Sequence, residues 1–403
     1  MHPLTYRAFR SYLGVRFLYT FAAQMQIVAL GFFVYQLTKS TLALGLLGLC
    51  EAIPAIAIAL YGGYVTDTSE KRKVLLLVHA TVLATSGTLL VLSARGLSLT
   101  GLPIIYALLF CNGAARAFYE PASFTIYAHS IPKSLYPRAA SWSSASMQIA
   151  SIVGPASGGL VYAWGGMTGA FGVIVFLLLV STVLVSLLPT YPPVFLPREN
   201  IRKSLTEGLD FVFRNKMMFY AMSLDLFSVL FGGVAALLPV FADGIFHMGA
   251  RGLGVMRASL AAGGVLCMLV MTRVSPMGRP WRNLLVTVAG FGAAIICFGL
   301  SHNYYLSLTL LFLQGAFDSV SMLIRGTIMQ LLIPDHMRGR VSAVNSMFIS
   351  SSAEIGDFES GLAASILGTI PAVIFGGCMT LVIVGFTWMR TRGFIRLKGV
   401  NPS

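Results

Sequence analysis

Residues 112–162 read NGAARAFYEPASFTIYAHSIPKSLYPRAASWSSASMQIASIVGPASGGLVY, two apolar segments joined by a short loop that contains Pro and Arg. A second copy begins at Gln314, and a shift of 202 positions aligns the two copies without a gap. Identical residues then coincide at Gly113 and Gly315, Ala114 and Ala316, Thr125 and Thr327, Ile126 and Ile328, Pro132 and Pro334, Arg138 and Arg340, Gly154 and Gly356, and Gly159 and Gly361. A constant offset of about half the chain is typical of a duplicated membrane bundle.

The composition also indicates a membrane protein. Hydrophobic residues make up 56% of the 403 residues and charged residues only 10%, which departs from soluble averages in both directions. Twelve apolar runs are long enough to span a bilayer. They cover residues 13–37, 42–65, 74–94, 102–128, 139–163, 168–189, 217–243, 251–272, 284–301, 304–332, 340–366 and 370–389. Because none shows the alternation of outer-membrane strands, we predict an all-α membrane protein with twelve transmembrane helices.

The net charge of +14 is placed very unevenly along the chain. Twenty-one Lys and Arg residues fall in loops on the side of the two termini, three fall on the opposite side, and four of the 28 lie within spans. Since positive residues concentrate on the cytoplasmic side, we predict that both termini are cytoplasmic and that the protein lies in the cell membrane, the inner membrane in a Gram-negative bacterium. The charge is then a topology signal, and nucleic-acid binding is not expected.

A Pro-rich stretch divides the chain into two halves. Pro192, Pro193 and Pro197 precede RENIRKSLTEGLDFVFRNK, which has a partly amphipathic helical pattern. We therefore predict two pseudo-symmetric bundles of six helices each, over residues 1–190 and 217–403. The residues between them, 191–216, are predicted to form a cytoplasmic linker with an interfacial helix.

A short motif follows the second span. Gly63, Asp67, Lys71 and Arg72 have the spacing G-x-x-x-D-x-x-x-[RK]-[RK]. Together with the twelve spans and the repeat, this motif resembles the signature of the major facilitator superfamily, G-x-x-x-D-[RK]-x-G-[RK]-[RK]. The resemblance implies that Asp67 and the basic pair form a cytoplasmic latch against the start of the eleventh helix, which carries Arg340, the repeat mate of Arg138. The partial positive charge at a helix N-terminus favours a carboxylate there.

The fifth span contains a second motif, GPASGG, formed by Gly154, Pro155, Gly158 and Gly159. It resembles the G-P-x-x-G-G core of the antiporter signature in exporters of the superfamily, so these residues and the latch are predicted to act as a conformational gate. Gly and Pro permit close helix approach and a bend, and ordinary packing of small residues remains the alternative. With RAFYEPA and the acidic eleventh span, the motif is similar to the branch that contains the enterobactin exporter and macrolide or multidrug efflux proteins.

Several ionisable side chains lie inside apolar spans, where they are costly unless they face a cavity or a partner. Helices 1, 4, 7 and 10 line the central cavity in the superfamily, which implies a substrate and proton pathway through residues on those helices. The predicted pathway residues are Gln24, Gln26, Glu51, Arg116, Glu120, Asp225, Gln314, Asp318, Glu354 and Asp357.

Within this set, Arg116 and Glu120 can pair at i,i+4, and Glu51 either faces a cavity or bonds a neighbouring helix. Arg116 coincides with Asp318 in the repeat. We hypothesise that these two residues approach each other across the cavity; the alternative is that each is neutralised within its own half. Glu354 and Asp357 share a helix face, and two such close carboxylates do not both ionise easily in a low dielectric.

These features predict a secondary transporter that works by alternating access as a monomer, without a cofactor or metal. No P-loop sequence occurs, so ATP is not the expected energy source. The leading hypothesis is proton-coupled export, by antiport, of a small organic molecule such as a drug or siderophore. An importer or facilitator of a nutrient or lipid-like substrate is the alternative. An enzyme is not expected because no nucleophile and base set is visible, and a metal transporter is not expected because the histidines lack ligand spacing.

Overall fold

A computed structural model describes residues 3–96, 98–132, 135–190, 201–271, 273–274, 276–334 and 337–395. These residues are almost entirely helical, and none of them lies in a strand. The helices are α1 (Arg7–Thr38), α2 (Thr41–Thr68), α3 (Lys71–Ala94), α4 (Leu102–His129), α5 (Tyr136–Ser186), α6 (Ile201–Arg214), α7 (Lys216–Phe231), α8 (Val234–Val240), α9 (Gly249–Met271), α10 (Pro280–Leu300), α11 (Tyr304–Leu332), α12 (Arg338–Leu367), α13 (Thr369–Arg390) and α14 (Arg392–Ile395).

Ten helical stretches in the described part of the chain are long and apolar enough to cross a membrane. One of them belongs to α5, which has 51 residues. At 1.5 Å per residue it is about 76 Å long, more than twice the thickness of the hydrocarbon core. Gly166, with φ 60° and ψ −160°, divides it into two crossings. The 30-residue α12 supplies one more, so the twelve-helix membrane fold predicted from the sequence is confirmed.

The seventh crossing is broken, which the apolar run at 217–243 did not indicate. Helix α7 ends at Phe231, α8 begins at Val234, and a π-helical turn over Phe241–Ile245 completes the crossing. The break falls at Gly232 and Gly233, because adjacent glycines lower the cost of leaving helical geometry. A Cβ on Gly233 would lie 3.0 Å from the carbonyl oxygen of Gly356, so the break also lets α12 approach closely.

The described chain divides into two compact units. The N-terminal unit comprises residues 1–39, 46–197 and 248–258, and the C-terminal unit comprises residues 40–45, 198–247 and 259–403. In the N-terminal unit α1 and α3 pack on α5, and α3 also packs on α4. In the C-terminal unit α10 packs on α11 and α13, and α7 packs on α12 and α13.

Helix α6, in the segment predicted as a linker, belongs to the C-terminal unit. Its Val212 is 3% exposed and joins a buried apolar cluster with Met218 of α7, Ile333 after α11 and Val341 of α12. Its neighbour Phe213 is 59% exposed. The helix is therefore amphipathic, with one face held by the unit and another left open.

Two glycines that coincide in the sequence repeat make the same kind of contact in their own units. A Cβ on Gly113 of α4 would overlap the carbonyl oxygen of Glu51 on α2, and a Cβ on Gly315 of α11 would overlap that of Leu260 on α9. In both cases the nearest obstructing atom is a backbone atom, which cannot rotate away. The absence of a side chain at both positions is thus what allows the helices to pack closely.

Candidate functional site

The N-terminal unit contains an ion pair between two neighbouring helices. Nη1 of Arg116 on α4 lies 3.2 Å from Oε1 of Glu51 on α2, and the two side chains are 32% and 23% exposed. Gly113, one turn before Arg116, brings the α4 backbone against Glu51 and so sets the spacing for this pair. Glu51 therefore has a charged partner on a neighbouring helix.

A second basic residue, Arg16 on α1, was not predicted as a site residue. Its Nη1 donates a hydrogen bond of 2.7 Å to the hydroxyl of Tyr12, and its charge interacts with that of Glu120. Glu120 is exposed. Two acidic and two basic side chains from α1, α2 and α4 thus form one charged group, whose formal charges balance.

Buried aromatic and polar side chains adjoin this charged group. The rings of Tyr19 and Tyr119 stack with their centroids 4.0 Å apart, and the Tyr119 hydroxyl is buried without a hydrogen-bond partner in the described chain. The ring of His79 lies 5.3 Å from that of Tyr19. Nδ1 of His79 is 2.8 Å from the carbonyl oxygen of Leu75, and Nε2 is 3.0 Å from Oγ of Ser181. Since a carbonyl only accepts, Nδ1 carries the proton, and the hydroxyl of Ser181 lies within hydrogen-bond distance of both Nε2 and the carbonyl oxygen of Val15, at 3.3 Å.

The C-terminal unit contains a more buried ion pair, between Asp225 of α7 and Arg325 of α11. Both side chains are 9% exposed. They line a small pocket, with room for about one water molecule, together with Ser228 and Asp318. Asp318 has exposed surface, so the pocket combines a partly open carboxylate with a buried pair.

Arg325 is the residue of this group that the sequence reading missed. It lies within an apolar span seven residues after Asp318, and seven residues return to nearly the same face of an α-helix. That spacing was the available signal. Arg116 has an opposite charge in its own unit, Glu51. Arg325 is the charged neighbour of Asp318 but pairs with Asp225, so the approach of Arg116 to Asp318 and its alternative, neutralisation within each half, both stay predictions.

The three predicted glutamines differ in their surroundings. Gln26 is buried, and its Oε1 accepts a hydrogen bond of 3.1 Å from Ser86 on α3. Gln24 is half-buried, and its Cβ would lie 2.8 Å from a Cβ on Gly154. Gln314 is 4% exposed, and its Oε1 has no hydrogen-bond partner within the described residues. Gln314 therefore keeps an unused acceptor inside the C-terminal unit.

The GPASGG motif lies at close helix contacts in the N-terminal unit. A Cβ on Gly158 would lie 2.9 Å from Cα of Met25 on α1, and one on Gly159 would lie 2.6 Å from Cα of Gly254 on α9. Pro155 lies inside α5, three residues before Gly158. The motif thus packs α5 against two other helices, as small residues do in membranes, and its role as a gate stays a prediction.

The latch motif is described only in part. Gly63 has nothing within 4 Å of a Cβ, whereas one on Gly62 would lie 2.5 Å from the carbonyl oxygen of Ala117, so the close contact falls one residue earlier. Lys71 is 2% exposed and its Nζ donates to the carbonyl oxygen of Ser69. Arg72 is half-buried.

The remaining predicted residues are partly outside the described side chains. The side chains of Asp67 and Arg340 lie outside them. Arg138 is exposed at the start of α5. Glu354 and Asp357 are half-buried on α12 and have interactions of their own.

Comparison with known proteins places this geometry in a family. A family model described as "Transmembrane secretion effector" matches residues 1–395. The enterobactin exporter EntS of Citrobacter koseri is 26% identical over 400 residues, which cover 97% of this chain and 93% of the relative. EntS of Shigella boydii is 26% identical over 377 residues, covering 92% and 86%.

Solved transporter structures share the fold. A bacterial homologue of the human lysosomal transporter Spinster, inward-facing and unoccupied, aligns with a TM-score of 0.71 and 13% identity over 99% of both chains. A POT family transporter in complex with 5-aminolevulinic acid aligns with a TM-score of 0.72 and 13% identity over 96% of both chains. At this level of identity the likeness shows the fold alone.

Proposed function

Because the chain belongs to the transmembrane secretion effector family of major facilitator superfamily transporters, we propose that it exports a small organic molecule from the cytoplasm in exchange for protons. It is a multi-pass membrane transporter and not an enzyme. The proposed substrate is a drug or a siderophore.

Full-length similarity to named exporters is the observation that carries the proposed direction of transport. The EntS relatives match over 92% or more of this chain, so the similarity includes both halves of the transporter. Their substrate, enterobactin, is accordingly the first compound to test.

Proton coupling is supported by the carboxylates within the membrane spans. Asp318 has exposed surface while its neighbours Asp225 and Arg325 are buried. An accessible carboxylate can take up and release a proton, and its charge alters the energy of the groups around it. If inward-open and outward-open states differ in that energy, proton binding shifts their populations and drives transport.

The remaining parts of the proposal concern placement in the membrane. We place both termini and α6 on the cytoplasmic side of the inner membrane, from the uneven charge of the loops. Residues 1–190 and 217–403 act as the two moving halves of a monomer. The open face of α6, which carries Phe213, suits a position at the membrane surface.

The test is uptake of enterobactin and of amphipathic drugs into inside-out membrane vesicles, with and without an acidic interior. We expect accumulation by the wild type that needs the gradient and falls to the no-gradient level in Asp318→Asn. The matched control is Asp210→Asn, the same chemical change on α6, where the side chain is 57% exposed and paired with Arg214. This control is expected to keep gradient-driven uptake.

Three other outcomes would change the proposal. Gradient-driven uptake that survives Asp318→Asn moves the coupling proton to Glu51, Asp225 or the acids of α12. Uptake that ignores the gradient identifies a facilitator. Substrate movement only in the opposite direction identifies an importer.

A further inference from the structure

The pocket of the C-terminal unit contains two carboxylates and one guanidinium. Arg325 pairs with Asp225 across the contact between α11 and α7. Asp318 is on the same helix as Arg325, two turns nearer its N-terminus, and makes no hydrogen bond or ion pair with the described residues. Helical side chains lean toward the N-terminus of their helix, so Arg325 extends toward Asp318 as well as toward Asp225.

The charges of this group do not balance when both carboxylates are ionised. The charged neighbours of Asp225 are Arg325 and Asp318, and the charged neighbour of Asp318 is Arg325. Arg325 stays protonated under all ordinary conditions, so the group has one negative charge in excess. Ser228 adds a buried hydroxyl that has no partner in the described chain, and this hydroxyl can hydrogen-bond whichever carboxylate the guanidinium leaves.

Among the described residues, no other element brings a charged side chain to the lining of the pocket. Helix α10 contributes Val288 and Phe291. Cys267, on α9, is partly buried against the apolar cluster of Trp281, Ile324 and their neighbours, and α13 adds Val384 to that cluster. Among the described residues that line the pocket, the competition for the guanidinium therefore involves Asp225 and Asp318.

We propose that Arg325 is a positioning residue shared by two competing carboxylates, bound to Asp225 when Asp318 carries the coupling proton and drawn toward Asp318 when that proton leaves. The proton adds to a carboxylate oxygen of Asp318 from water and returns to water, with no change of redox state. Because Asp225 is on α7 and Asp318 on α11, the exchange changes the attraction between these helices. This mechanism rests on the proposed proton coupling, but its charge competition can be measured without transport.

The test is an infrared pH titration of purified protein in lipid, which follows the carbonyl band of protonated carboxyl groups. The band that Asp318→Asn removes is assigned to Asp318. Asp225→Asn removes the competitor, so Arg325 is free to stabilise ionised Asp318, and the proton affinity of Asp318 should fall by about 10-fold or more. Asp225→Asn/Arg325→Gln removes the guanidinium too, so ionised Asp318 loses its attraction and the proton affinity of Asp318 should rise above that of the wild type. Asp210→Asn should leave the midpoint unchanged.

An Asp318 midpoint that is identical in the wild type and both Asp225 variants would overturn the proposal, because a purely structural ion pair predicts that result. If Asp225→Asn fails to fold, the double variant decides alone: it removes both buried charges together, which proteins often tolerate. A midpoint unchanged in the double variant overturns the proposal, and higher proton affinity supports it. Neither readout uses a substrate or a gradient, so a failure of proton-driven export in vesicles is a separate result.

Discussion

Substitution of Gly315 by Ala should push apart α11 and α9, which are in backbone contact at this glycine. The added Cβ would lie 2.9 Å from the carbonyl carbon of Leu260 on α9 and would overlap the carbonyl oxygen. Carbon atoms in contact normally lie about 3.5–4.0 Å apart. Because the obstructing atoms are backbone, α11 and α9 must move apart along their whole contact.

The magnitude follows from two opposing terms. Overpacking of a tight contact costs about 1–3 kcal/mol and sometimes more, and backbone overlap favours the upper end. Replacing Gly by Ala inside a helix gains about 1 kcal/mol. The net expected loss is therefore about 2 kcal/mol, or roughly 4–8 °C in the unfolding temperature of a unit of this size.

Gly326→Ala is the matched control on the same helix, since nothing lies within 4 Å of a Cβ there. It should gain about 1 kcal/mol of stability from helix propensity. The assay is thermal unfolding of the detergent-purified protein, followed by tryptophan fluorescence. If both variants were stabilised, the tight contact at Gly315 and the explanation of its repeat mate Gly113 would be refuted.

Two further substitutions test the buried cores of the units. His79→Phe keeps the ring volume but removes the contacts of His79 with the carbonyl oxygen of Leu75 and with Ser181, whose hydroxyl keeps the carbonyl oxygen of Val15 as an acceptor. The free energy of unfolding should therefore fall by about 0.5–1.5 kcal/mol for each lost bond, whereas His129→Phe, at an exposed histidine, should change stability by about 0.5 kcal/mol or less. Met218→Ala leaves a cavity at a fully buried position beneath α6 and should lower the free energy of unfolding by about 2–5 kcal/mol. Its control, Met248→Ala, changes a side chain that is 42% exposed and should cost little. Equal shifts in thermal unfolding within either pair of variants would contradict the burial described for these side chains.

The sequence predicted most of the charged residues of the candidate site but not the ion pairs that they form. Glu51, Arg116, Asp225 and Asp318 stand out because a charge in an apolar span is rare and costly. The partner of Glu51 did not follow, because it depends on which faces of α2 and α4 meet at Gly113. Arg325 was overlooked although its seven-residue spacing from Asp318 is visible in the sequence.

The break of the seventh crossing shows a different limit. Gly232 and Gly233 are visible in the run 217–243, but many membrane helices contain glycines without breaking. Here α12 approaches so closely that Gly233 would collide with Ser360 if it carried a side chain. Gly113 and Gly315 also meet neighbouring backbone, yet α4 and α11 continue through them, so a glycine in an apolar run does not by itself indicate where a helix ends.

The sequence by itself determined the membrane class, the number of crossings and the half-chain repeat, because hydropathy and repetition are properties of consecutive residues. The tertiary structure decided which charges meet: Arg116 with Glu51, and Arg325 with Asp225. Such pairings depend on the rotation and spacing of helices distant in the chain. Backbone contacts at residues such as Gly113 and Gly315 set that spacing, and a linear pattern shows the glycines but not what they touch.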